Sequence, residues 1–292
     1  MSQRIAIIGA GAIGGYFGAA MTRVGVDVTL IDGWAEHVEQ VRIHGLTIEG
    51  MAREGRSTVR PRILHLNDAQ GLIAEPPFDI VFVAVKSYDT RWATEFMRMY
   101  AAPGAAFVSL QNSFNEPEIA SIVGGEDTFG CAIQSLACDL VAPGLVHRMS
   151  ASGTVGAGAM SGDTSDPRLA GLVECLSNVE MTHVVGDLPG LKWSKLVVNA
   201  MRNGLSAMTD MTGGERDSHP ETVALGIRLG AQAVEVGRAM GLTLVNTAYD
   251  FDTLVAAGAD FLAVVNGVWG HADGPAAAVH AFEAAIAAHR PG

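Results

Sequence analysis

Gly9, Gly11 and Gly14 form a GxGxxG turn between the apolar run Arg4-Ile5-Ala6-Ile7-Ile8 and an Ala/Gly-rich segment that continues to about Arg23. Few folds accept a strand, a glycine turn and a helix in that order. The first glycine permits the tight turn, the second lets backbone approach a pyrophosphate, and the third lets the helix pack closely. Ala12 and Ile13 open the helix, whose N-terminal amides face the phosphates of such a ligand. A second apolar run, Val26 to Ile31, ends at Asp32, the ~20-residue offset at which an acidic side chain meets a ribose. The motif alone is weak evidence, but its context and Asp32 together predict a dinucleotide-binding Rossmann unit.

Asp32 also bears on which dinucleotide is bound. A carboxylate accepts hydrogen bonds from ribose hydroxyls and repels a 2′-phosphate. The following Gly33-Trp34-Ala35-Glu36 supplies no arginine to neutralise one. NAD is therefore expected in preference to NADP.

Further along, the pattern predicts a helix over Ala35 to His44, a strand over Asp79 to Val85, a helix from about Thr90 to Tyr100 and a strand over Ala106 to Leu110. A short helix after Glu116, strand-like stretches around Thr128 to Ile133 and Leu145 to Gly156, and a helix from about Arg168 follow. Such alternation implies an α/β fold with a mostly parallel, doubly wound sheet. From Leu188 onward the pattern changes to long helices, strongest over Leu191 to Met208 and Glu221 to Met240. With 292 residues the chain accommodates two domains, which we place at 1–186 (Rossmann) and 187–292 (all-helical, substrate-binding and catalytic).

Composition narrows the partners. Hydrophobic residues at 49% against 17% charged suit a packed globular protein, and a net charge of -12 disfavours a phosphodiester ligand. No apolar run approaches the ~20 residues of a membrane helix. Met1-Ser2-Gln3-Arg4 runs straight into the first strand, so a cytoplasmic protein without a signal peptide is expected. Cys131, Cys138 and Cys175 match no metal or redox spacing and read as reduced core thiols. No metal is inferred, since the histidines are scattered and the one HxxE pair, His280 with Glu283, lies in the Ala-rich tail from Pro275 to Ala288. A small-molecule substrate is the expected partner, and the oligomeric state, a homodimer included, stays open.

Ligands of an open α/β sheet bind outside the carboxyl ends of its strands. Lys86 follows Ile80 to Val85 and Asn112 follows Phe107 to Gln111, so both are candidates to line the crevice beside the nicotinamide. A capping or turn asparagine and a solvated loop lysine are the plainer readings. Lys195, Asn199 and Asn203 recur every four residues within an otherwise largely apolar helix, which puts them on one face. A solvated stripe normally carries Glu and Lys. Two amides with one lysine suit orienting a ligand in a cleft better than facing bulk water.

At these residues the chain resembles the ketopantoate reductase family. The resemblance rests on the GxGxxG start, Val85-Lys86-Ser87-Tyr88, Gln111-Asn112, and Trp193-x-Lys195-Leu196-x-x-Asn199-x-x-x-Asn203, in the family's order. It implies reduction of a 2-oxo acid or oxidation of the hydroxy acid, with Lys195 as proton donor or acceptor and Asn112 near nicotinamide and substrate. Asn199 and Asn203 would then bond substrate oxygens without adding charge. Three positions depart from the family pattern: Ser113 stands where glycine is usual, Asp32 where a basic residue is common, and Ala248 to Gly270 lacks the late Ser-Met and Thr-Glu helix, carrying only Asp250, Asp252 and Asp260.

Three functions remain on this basis. The first is an NAD-dependent dehydrogenase of a small 2-hydroxy acid or related alcohol. A true 2-dehydropantoate 2-reductase is the second, and a dinucleotide sensor without turnover the third.

Overall fold

The computed structural model describes residues 3–52, 55–246 and 249–256. The chain divides into two compact units, Met1–Lys192 and the residues from Trp193 on. The division falls inside a helix, later than the break expected after residue 186.

The first unit opens with β1 (Ile5–Ile8), α1 (Ala12–Arg23), β2 (Val28–Asp32), α2 (Ala35–His44), β3 (Leu46–Gly50), β4 (Ser57–Val59) and β5 (Arg62–His65). It continues with β6 (Phe78–Val83), α3 (Thr90–Arg98), β7 (Ala101–Ser109), α4 (Glu116–Val123), β8 (Thr128–Gln134), β9 (Cys138–Ala142), β10 (Leu145–Arg148), β11 (Thr154–Ala159), α5 (Pro167–Ser177) and β12 (Met181–Val184). Eight strands form the main sheet in the order β12-β11-β8-β7-β6-β1-β2-β5. Every neighbouring pair is parallel except β8 with β11. The connection from β5 returns across β2 and β1 to β6, so strand order reverses at β1. That reversal opens the crevice at the carboxyl ends of β1 and β6.

A second sheet, β4-β3-β10-β9, was not foreseen. The sequence suggested one strand over Leu145 to Gly156. The structure corrects this: β10 pairs with β3 and β9 in the small sheet, whereas β11 pairs with β8 and β12 in the main one. The reason lies in α1, whose residues Gly14 to Met21 are all buried. A helix apolar on every side needs cover on every side. Phe17 and Met21 share one core with Leu30 of the main sheet and with Leu46, Ile48 and Val146 of the small one. A second core, on the other face of the main sheet, gathers Ala93, Met97, Tyr100 and Ile119 against Val81, Val83 and Phe107.

Beneath α1, Arg148 is paired with Glu180, the two side chains 1% and 0% exposed. Tyr16 Oη donates to the same carboxylate at 2.6 Å, and Arg148 lies over the Tyr16 ring at 5.1 Å. This buried triad joins α1, the small sheet and the segment after α5. The cysteines are free, and burial pushes the Cys131 and Cys138 thiols up to about 12 and Cys175 to about 11.

The second unit is helical in its described residues. α6 (Leu188–Thr209) enters it from the first unit, followed by α7 (Gly213–Ser218), α8 (Pro220–Ala239) and α9 (Phe251–Ala256). Val197 and Met201 of α6 pack with Ala231 and Val234 of α8 and with Phe251 and Leu254 of α9. Close approach is possible because α8 presents glycine there: a Cβ at Gly226 would stand 3.0 Å from the Met201 carbonyl oxygen. Trp193 Nε1 donates to the Ala233 carbonyl at 2.8 Å. Among the described residues, no helix is long and apolar enough to cross a membrane.

Candidate functional site

The glycine turn is built where β1 meets β6. Gly9 has φ +93°, and a Cβ there would stand 2.8 Å from Ala84 C and Val85 N, so the turn is pressed against the end of β6. Gly14 is held as tightly, its missing Cβ facing the Gly9 carbonyl and the Ala84 methyl. Gly11 differs, because nothing lies within 4 Å of its Cβ position. It is the N-cap of α1 and has no side-chain cap, which leaves the amide end of a 12-residue helix facing that opening. Two glycines close the turn and the third leaves room outside it. A pyrophosphate fits this cradle.

Asp32, at the end of β2, closes the adjoining edge. Its Oδ2 accepts from the Ala10 N–H at 2.7 Å and its Oδ1 from the Trp34 N–H at 2.8 Å. Each carboxylate oxygen keeps acceptor capacity for a ribose hydroxyl. The exposed Trp34 ring stacks on the buried His37 imidazole at 5.8 Å between centroids. Burial holds His37 below its ordinary pKa, and its Nδ1 accepts from the Gly144 N–H at 3.0 Å.

Lys86 and Asn112 lie in the loops after β6 and β7, both exposed. Those loops are braced to each other. Gln111 Nε2 donates to the Val85 carbonyl and to Thr90 Oγ1, both at 2.8 Å. Asn115 Nδ2 donates to the Asn112 carbonyl at 2.8 Å and to Ser87 Oγ at 3.2 Å. Ser113 adopts φ +69°, in the left-handed region where glycine is favoured. The departure noted at that position thus falls on a backbone conformation that glycine suits better.

Lys195, Asn199 and Asn203 all lie on α6, and at 3.6 residues per turn they share one face. The adjacent Ser194 Oγ accepts from the Val245 N–H at 2.8 Å, tying this part of α6 to the segment after α8. Asp250 accepts from the Asp252 N–H at 3.0 Å at the start of α9, and Asp252 pairs with Arg238 at 2.5 Å. Helix capping and a surface ion pair account for these two aspartates. Asp260, His280 and Glu283 lie outside the described residues.

Sequence reasoning missed one charged side chain on the same face of α6. Lys192 is buried, and its Nζ lies 2.6 Å from Glu116 Oε1 and 2.9 Å from the Gln111 carbonyl oxygen. Glu116 opens α4 just before Pro117, where an acidic residue reads as an ordinary partner of the helix dipole. No local signal distinguishes it from an exposed glutamate.

A cavity of about 400 Å³ lies in the helical unit, with Met201, Arg202, Gly226 and Tyr249 in its wall. Two guanidinium groups in its wall share one carboxylate, since Arg202 and Arg216 both pair with Asp217, at 2.6 and 2.9 Å.

Comparison with known proteins gives a consistent result. Residues 5–162 match the family model described as Ketopantoate reductase PanE/ApbA, and residues 187–266 match Ketopantoate reductase PanE/ApbA C terminal. A 2-dehydropantoate 2-reductase from Nostoc sp. is 26% identical over 259 residues, spanning 85% of this chain and 78% of the relative. The crystal structure of 2-dehydropantoate 2-reductase from Geobacter metallireducens superposes with a TM-score of 0.75 at 25% identity, covering 89% of this chain and 85% of that one. D-mandelate dehydrogenase, in a ternary structure with NADH and anilino(oxo)acetate, is alike in fold: TM-score 0.75, 24% identity, 87% of this chain and 78% of that one.

Proposed function

This chain belongs to the ketopantoate reductase family of pyridine-nucleotide-dependent oxidoreductases acting on CH–OH groups, and from that premise we propose that it transfers a hydride between NAD(H) and a small 2-oxo or 2-hydroxy acid. One observation carries the choice of coenzyme: the Asp32 carboxylate is bonded into the glycine loop through Ala10, where a ribose diol can use its remaining acceptor sites and a 2′-phosphate would be repelled. The family's commoner basic residue would have the opposite preference.

Bound NAD(H) supplies or takes up the hydride. The work of this chain is to hold, orient and protonate. Gly9, Gly11, Ala12, Ile13 and Gly14 cradle the pyrophosphate, and Lys86 and Asn112 flank the reacting end of the crevice. Lys195 gives its proton to the carbonyl oxygen as negative charge develops there, or takes it back in the oxidative direction. Asn199 and Asn203 hold substrate oxygens with neutral amides, and Asn199 keeps the carbonyl aligned with Lys195.

Two measurements test this reading. Fluorescence titration should give a lower Kd for NADH than for NADPH. A panel of 2-oxo acids, ketopantoate included, followed by nicotinamide absorbance should reveal turnover with NADH. Equal or tighter NADPH binding overturns the coenzyme choice, and turnover of ketopantoate above all other acids makes the chain a true 2-dehydropantoate 2-reductase. Dinucleotide binding with no turnover across the panel would favour the sensor reading.

A further inference from the structure

The Lys192–Glu116 pair has no place in the mechanism above, yet both of its charges are enclosed. The two side chains are 2% and 1% exposed. Burying both charges carries a desolvation cost that their attraction seldom recovers, so apolar residues of the same size would serve stability as well or better. A reason other than stability is needed, and the third partner supplies one. Lys192 Nζ donates at 2.9 Å to the carbonyl oxygen of Gln111, which belongs to the same peptide plane as the Asn112 N–H.

The surroundings are shaped to keep the pair in place. A Cβ at Gly130 on β8 would stand 3.0 Å from Glu116 Cδ and 2.9 Å from Leu188 Cδ2, so glycine there leaves space for the carboxylate. Ser109 Oγ lies 3.4 Å from Lys192 Nζ, and the Gln111 side chain carries the restraint on to Val85 and Thr90. On its other side Asn112 is followed by Ser113 in the left-handed conformation. Its peptide is therefore fixed from within the protein, behind the exposed edge of the loop.

We infer that Lys192 and Glu116 are positioning residues, which lock the Gln111–Asn112 peptide at the crevice edge and thereby set the geometry of hydride transfer without touching substrate or dinucleotide. The inference rests on the reading of Asn112 as a group beside the reacting centre.

The test compares the wild type with the apolar double variant Lys192→Met/Glu116→Leu and the milder Glu116→Gln. Five quantities are read: thermal midpoint, NADH Kd, amide hydrogen exchange over residues 111–115, and kcat and KM with NADH and the 2-oxo acid turned over fastest by the wild type. The double variant should keep its midpoint and its NADH affinity, exchange faster across 111–115, and lose kcat by about 10- to 100-fold with KM little changed, the scale of a misplaced reacting group. Glu116→Gln should move exchange and kcat in the same direction by less, and it decides the matter if the double variant does not fold. A folded variant with wild-type kcat and wild-type exchange would show the pair to be merely structural and overturns the inference, as does a loss of kcat with unchanged exchange. If the wild type reduces no 2-oxo acid, the oxidoreductase reading fails separately, and unchanged exchange at 111–115 alone then overturns the pair's role.

Discussion

Asp32 Oδ2 accepts the backbone N–H of Ala10 at 2.7 Å, so the residue that ends the second strand also holds the turn that follows the first. Removing the carboxylate therefore does two things at once. Asp32→Ala should weaken NADH binding by loosening the turn and relax the NAD/NADP preference by removing the charge. For the wild type that preference should be about 1–3 kcal/mol, the scale of leaving a charged group without a partner. Titration of both coenzymes against both proteins measures it; an NAD/NADP ratio untouched by the substitution excludes Asp32 as the ribose ligand.

Two glycines of the turn, Gly9 and Gly11, should respond differently to a methyl group. Gly9→Ala places a side chain at φ +93° and 2.8 Å from Ala84 and Val85 backbone atoms, so it should destabilise the unit by about 1–3 kcal/mol. At Gly11 the Cβ position is open, and Gly11→Ala should keep the melting temperature while losing NADH affinity. Thermal unfolding and a binding titration on the two variants separate these effects. A Gly11→Ala protein that binds NADH normally would place the pyrophosphate elsewhere.

Lys195→Ala should lower kcat by ~100-fold or more, the usual scale for a lost general acid, with NADH affinity nearly unchanged. Asn199→Ala and Asn203→Ala should act mainly through KM, because a neutral amide that orients the substrate binds ground state and transition state alike. Steady-state kinetics on the three variants decide it. Near-normal turnover in Lys195→Ala would move the proton donor to Lys86.

His37 predicts a pH dependence with a definite sign. Burial lowers its pKa from 6.5 in the folded protein, so below pH 6.5 the unfolded chain takes up this proton more readily than the folded one. Stability is then complete above pH 6.5 and declines as pH falls below it toward the folded value. A protonated Nδ1 also loses the lone pair that accepts the Gly144 N–H. Urea midpoints should fall between pH 6.5 and about 5, above the range where carboxylates titrate. His37→Gln should flatten that slope. An unchanged slope in the variant assigns the dependence to another group.

The first βαβ unit, the parallel sheet and the helical second unit were legible from local pattern, because each depends on residues close in sequence: an apolar run, a glycine turn, a helical period. Asp32 and the Lys195, Asn199, Asn203 face were legible for the same reason, one by its offset from the glycines and the other by spacing along one helix. The small sheet was not. Its strands are short, from three to five residues, and they form because α1 needs cover on its second side, a demand visible only once α1 is seen against the main sheet. Lys192 and Glu116 are 76 positions apart, and Arg148 and Glu180 are 32 apart. In sequence each of these is an ordinary surface charge; burial and pairing are properties of the packed chain, and only the tertiary structure decided which charges left water and what they hold in place.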